Sequence, residues 1–156
     1  MKNLITKSLT LFLTGTVVFI ACQSPVNNNQ EFNKNAWLEE MTISELQQGY
    51  KDEKYSIADV VSAYIDRIIS IDMNGPTLNS VIRINPDALK IAEELDKEMA
   101  EGKIRGPLHG IPVILKDNID TEDNMPTTAG SIALSDSYPK SDSYIAIKLR
   151  EAGAVI

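Results

Sequence analysis

A chain of 156 residues holds one ordinary domain; its charged fraction of 24% is typical of a globular protein and its hydrophobic share of 43% slightly low. The net charge of −7, with no run of lysine or arginine to offset it, argues against a nucleic-acid partner, because phosphate binding needs a basic face. One histidine and one cysteine exclude a clustered metal centre and an internal disulfide, and the sequence implies no cofactor and fixes no oligomeric state.

Residues 1–21 read as a signal peptide. Lys2 and Lys7 form a short positive region, and Leu9 to Ala21 is uncharged and mostly apolar. That run is short for a membrane span of about 20 residues and suits the hydrophobic part of a signal. Phe19-Ile20-Ala21-Cys22 resembles a bacterial lipobox, which would make Cys22 a lipidated residue and the protein an exported lipoprotein of the bacterial cell envelope. Phe19 stands where leucine is more usual, and a plain signal followed by an incidental cysteine is the alternative. Residues 22–35, rich in Asn and Pro, are too polar to order themselves and read as a flexible tether.

The folded part is expected over 36–156. Thr42-Ile43-Ser44-Glu45 has the spacing of a capping box, with Ile43, Leu46 and Tyr50 forming the apolar stripe of a first helix. Ser56 opens a second helix, whose stripe includes Ile57, Val60, Val61, Tyr64, Ile65, Ile68 and Ile69. Gly75-Pro76 breaks the chain, and Asn79 to Asn85 reads as a strand. Asn85 and Pro86 are expected as N-cap and first residue of a third helix, which carries Ala88, Leu89, Ala92, Leu95 and Met99 on one face and ends near Gly102. Ile111 to Lys116 is a short apolar strand. Ser141 or Asp142 caps a fourth helix with Tyr144, Ile145, Ile147 and Leu149 as its apolar candidates; Gly153 ends it, and Ala154-Val155-Ile156 begins another strand. Helices alternating with short β-branched runs point to an α/β layer architecture.

The most informative stretch runs from Gly106 to Asp120, Gly-Pro-Leu-His-Gly-Ile-Pro-Val-Ile-Leu-Lys-Asp-Asn-Ile-Asp. It sets Lys116 at the end of an apolar run and before a turn. A lysine desolvated there, against Ile114 and Leu115, would have its pKa lowered and could act as a general base. Strand alternation would send Asp117 to the opposite face, while the direction of Asp120 stays open. Taken on local composition, a lysine that snorkels to water at a strand exit is the alternative. His109 reads as a turn residue and not as a base. Thr127, Thr128, Gly130 and Ser131 would either line a substrate cleft or form a surface turn with Gly130 at a special backbone angle.

This stretch, together with Met125 to Ser131 and Leu149 to Ile156, resembles the amidase signature family, serine hydrolases with a Ser–cis-Ser–Lys triad. Lys116 falls on the family's catalytic lysine. The resemblance implies a mixed sheet covered by helices, of which this chain would be the N-terminal portion, truncated after Ile156. It also implies hydrolysis of a carboxylic amide, small-molecule or peptide, with lysine accepting a proton through the cis-serine as the nucleophilic serine attacks. In the family both serines lie in a Gly/Ser-rich region several tens of residues after the lysine, and the serines from Ser131 to Ser143 do not form one. Two readings follow. One is a membrane-anchored amidase to which this chain contributes only the lysine, the chain by itself being inactive. The other is a non-catalytic, amidase-like accessory or binding lipoprotein.

Overall fold

The computed structural model describes residues 35–156. The expected signal peptide, Cys22 and all of the expected tether but its last residue lie outside the described residues. That last residue, Asn35, is already engaged: it is buried, and its side-chain amide donates to the Ala63 carbonyl at 3.2 Å.

Among the described residues four α-helices form: α1 (Ile43–Lys51), α2 (Ile57–Arg67), α3 (Ala88–Ala100) and α4 (Tyr144–Glu151). A 3₁₀ turn at Ala36–Leu38 precedes them, α2 runs on into a π-helical turn at Ile68–Met73, and a second 3₁₀ turn lies at Ile132–Leu134. The starts of α1 and α2 follow from local chemistry. Thr42 and Glu45 close one capping box and Ser56 and Asp59 another, each satisfying two backbone donors that a helix start leaves without partners. The start of α2 has a further partner. The Asp96 carboxylate on α3 accepts from Ile57 N–H at 2.7 Å and Ala58 N–H at 3.0 Å, which locks α3 against the positive end of α2.

The core lies between α2 and α3. Ile57, Val60 and Leu95 are fully buried, joined by Leu46 and Tyr50 from α1 and by Ala88 and Ala92 from α3. Full burial of such an aliphatic side chain contributes about 1.5–3 kcal/mol. The predicted stripes hold over these positions and fail at their margins: Ile43 is 48% exposed and Ile69 42%. On α4 only Ala146 is buried, while Tyr144, Ile145 and Ile147 face outward.

Two expected helix starts are corrected. Helix α3 begins at Ala88, not Pro86. The Asn85 side chain accepts from Asp87 N–H at 2.9 Å, making a turn that delays the helix, and its amide donates to the Ile156 carbonyl at 2.8 Å. The N-cap of α4 is Ser143, whose side chain caps nothing. Asp142 is drawn instead to Arg150 and to Glu122 N–H.

No strand forms among the described residues. The expected strands at 111–116 and 154–156 reduce to one parallel bridge, Pro112 to Val155, in which Val155 N–H donates to Ile111 and Val113 N–H to Val155. The expected strand at 79–85 finds no partner strand. Its backbone is held by side chains: the Asp72 carboxylate accepts from the Ser80 hydroxyl, Ser80 N–H and Val81 N–H, which keeps that carboxyl below its ordinary value. Among the described residues the mixed sheet therefore appears only as this bridge.

Candidate active site

The turn from Gly106 to Gly110 is anchored from three sides. His109 is buried at 2% exposure; its Nδ1 accepts from Arg105 N–H at 3.2 Å, so Nε2 carries the hydrogen and donates to the Leu95 carbonyl at 3.1 Å. The Tyr50 hydroxyl donates to the Gly110 carbonyl at 2.8 Å, and burial raises its pKa far above the ordinary phenol value. Gly153, at φ +91°, passes so close that a Cβ would sit 2.6 Å from the His109 Cα. His109 is thus a turn residue with both ring nitrogens occupied, as the sequence suggests, and takes no part in the cleft.

Beyond this anchor the chain passes through the bridge at Pro112 and reaches Lys116. A cleft of about 680 Å³ opens there. One wall is the outer face of α2, with Tyr64 and Ile65; the others come from residues 80–85, 112–117 and 125–127. Lys116 lines the cleft and is exposed, and its ammonium makes no ion pair among the described residues. The apolar cover expected around it is absent here, with Ile114 itself 74% exposed. Its carbonyl accepts from Ile119 N–H at 3.0 Å, forming the turn that follows.

The four cleft candidates divide. Thr127, like Lys116, lines the cleft. Thr128 is buried, and its hydroxyl donates to the Asp117 carboxylate. Gly130, at φ +75°, donates to that hydroxyl at 3.1 Å, and Ser131 N–H closes the turn on the Thr128 carbonyl at 2.8 Å. Gly130 and Ser131 are exposed and, with Thr128, lie outside the cleft's lining. Asp117 also borders the cleft, and the Thr128 hydroxyl is the chief reason its carboxyl sits below the ordinary range. Asp120 is exposed and outside the lining; its carbonyl accepts from Ser143 N–H at 2.9 Å. The far end of this wall is held by Arg150, which donates to Asp142 at 2.8 Å and to Asp123 at 2.6 Å.

Residues 59–156, from α2 to the last residue and so including the whole cleft, match the model of the family described as Amidase. The chain belongs to the amidase family. Among solved structures it is similar to the peptide amidase of Stenotrophomonas maltophilia, at 45% identity and a TM-score of 0.73, over 76% of this chain and 24% of that one. An amidase family protein from Bacillus anthracis matches at 38% identity and the same TM-score, over 85% of this chain and 26% of that one. A glutamyl-tRNA(Gln) amidotransferase polypeptide of Alkaliphilus metalliredigens is 40% identical over 120 residues, 76% of this chain and 24% of that protein. The chain spans about a fifth to about a quarter of the length of the amidase relatives it matches.

The contacts by which Asp117, Asp142 and Arg150 hold the amidase segment in shape are not legible in local sequence. The partners stand 8 to 27 positions apart, beyond any capping or turn pattern.

Proposed function

We propose that the full-length protein hydrolyses a carboxylic amide, with Lys116 as the base of a Ser–cis-Ser–Lys triad whose two serines lie beyond Ile156. The observation that carries this reading is the exposed Lys116 on the lining of the cleft, without an ion pair among the described residues and within the segment matched by the amidase family. An amide has a poor leaving group, so its hydrolysis needs an activated serine and a proton for the departing amine. A lysine that starts neutral can supply both, taking the nucleophile's proton through the relay serine and returning it to the amine. The rest of the protein would supply the desolvation that makes Lys116 neutral. The substrate class is a small-molecule or peptide amide.

The test is Lys116→Ala in the full-length protein. It leaves folding nearly intact and lowers amide turnover by several orders of magnitude, since triad members act as a unit. Near-normal turnover by the folded variant overturns the assignment of Lys116, whereas a wild-type protein without turnover favours the non-catalytic reading.

Export and anchoring are a separate part of the proposal, resting on the sequence around Cys22. One acyl chain holds a protein at a membrane only marginally, whereas two hold it stably, as a diacylglyceryl cysteine would. Cys22→Ser is expected to release the protein from membrane fractions or to block its processing; a variant that stays lipidated ends the lipobox reading.

A further inference from the structure

Asp117 joins Lys116 to the loop that faces it. Its main-chain carbonyl accepts from Ala129 N–H at 2.7 Å. Its carboxylate takes the Thr128 hydroxyl, with Thr128 N–H and Gly130 N–H each at 3.4 Å. Thr128 Oγ1 in turn accepts from Gly130 N–H at 3.1 Å. The turn so held contains two successive residues with positive φ, Ala129 at 49° and Gly130 at 75°. Alanine enters that region only under constraint. The constraint visible here is the set of contacts to Asp117.

On its other side Lys116 follows the bridged segment, fixed where Val113 N–H meets the Val155 carbonyl at 2.8 Å. Lys116 thus lies between two attachments, the bridge before it and Asp117 immediately after it. Thr127 immediately precedes the held turn, and both Lys116 and Thr127 line the cleft.

We infer that Asp117 is a positioning residue for amide hydrolysis, its carboxylate fixing the Thr128–Gly130 turn against the Lys116 segment so that base and cleft wall keep one separation. This rests on the reading of Lys116 as the base. Asp117 touches no reacting atom. It acts through the Thr128 hydroxyl and through the backbone it shares with Lys116. Asparagine in its place would present an N–H₂ group to a site made of donors. Valine in place of Thr128 would keep the shape and remove the hydroxyl that links carboxylate to turn.

The experiment uses the full-length protein and follows ammonia release from a peptide carboxamide and aniline release from a small anilide. Cooperative unfolding is recorded for every variant. Thr128→Val and Asp117→Asn are each expected to lower kcat roughly a hundredfold with a much smaller change in KM, the size of loss that a displacement of about 1 Å at a reacting centre brings. Thr128→Ser, which keeps the hydroxyl, recovers most of the loss seen in Thr128→Val. The double variant Asp117→Asn, Thr128→Val is no slower than the worse single one, because both remove one connection. Should Asp117→Asn fail to fold, the Thr128 pair decides. Wild-type kcat in folded Thr128→Val, a change confined to KM, or additive losses overturn the inference. If Lys116→Ala is inactive while Thr128→Val is normal, the base reading stands and this one falls; if Lys116→Ala is active, the base reading has failed first.

Discussion

Gly153 has no side chain because His109 occupies the place where one would go. Its φ of +91° and the 2.6 Å approach to the His109 Cα are two separate reasons for glycine, one conformational and one steric. Gly153→Ala is therefore expected to cost at least ~1–3 kcal/mol, the cost of forcing a side chain into such a backbone region, with the clash against rigid backbone added. A midpoint in urea unchanged from wild type would contradict this. Asp142 gives a pH-dependent counterpart. Burial opposes its charge, but Arg150 and the Glu122 N–H outweigh burial, so its carboxyl lies below the ordinary 3.8. A carboxyl depressed by folding adds stability above its unfolded value, and that stability is lost as pH falls through the folded value. Stability is expected to fall from about pH 4 downward, and Asp142→Asn should flatten this acid limb while lowering stability at pH 7. An acid limb of unchanged steepness in the variant would rule the assignment out.

At the scale of elements, the beginnings of α1 and α2 were legible because their donors find partners within three residues. Thr42 with Glu45 and Ser56 with Asp59 are patterns that a short window contains. The beginnings of α3 and α4 were not. Asn85 is pulled toward Ile156 and Asp142 toward Arg150, contacts that exist only once the chain has folded. The same division runs through the candidate site: Lys116 stood out within its own motif, whereas the link from Asp117 to Thr128 spans 11 positions and left no local trace. Strand readings failed for a related reason, since a strand is defined by its partner and in 79–85 Ser80 and Val81 turn instead to the Asp72 carboxylate. Helix α2 allows a direct comparison of local and distant capping. Ser56→Ala removes one side-chain acceptor at an exposed site and is expected to cost about 1 kcal/mol. Asp96→Ala leaves Ile57 and Ala58 N–H without their acceptor, with an expected cost of ~1–3 kcal/mol. An Asp96→Ala midpoint in urea unchanged from wild type would show that the distant cap adds nothing.

Taken whole, the described residues present large apolar side chains that nothing among them covers. Ile132 is 92% exposed, Ile114 74% and Leu78 67%, and these lie in different segments. Such surface favours association. Residues 35–156 expressed alone are expected to aggregate and to hydrolyse no amide, as followed by sedimentation and by ammonia release. A soluble monomer with a sharp thermal transition would refute the first expectation, and turnover abolished by Lys116→Ala the second.

The Pro112–Val155 bridge has a consequence in time as well as in space. Lys116, Asp117 and the turn at 128–130 all lie on the stretch of chain that this one bridge closes into a loop. Closing a long loop costs entropy that is recovered all at once when the closure breaks. The amides of Val113, Val155 and Ala129 then become accessible to solvent deuterium through a common opening, and their exchange should slow together when anything seats itself in the cleft. The base, its tether and its facing wall are expected to open and close as one cooperative unit, and unrelated exchange rates for the three amides would contradict this.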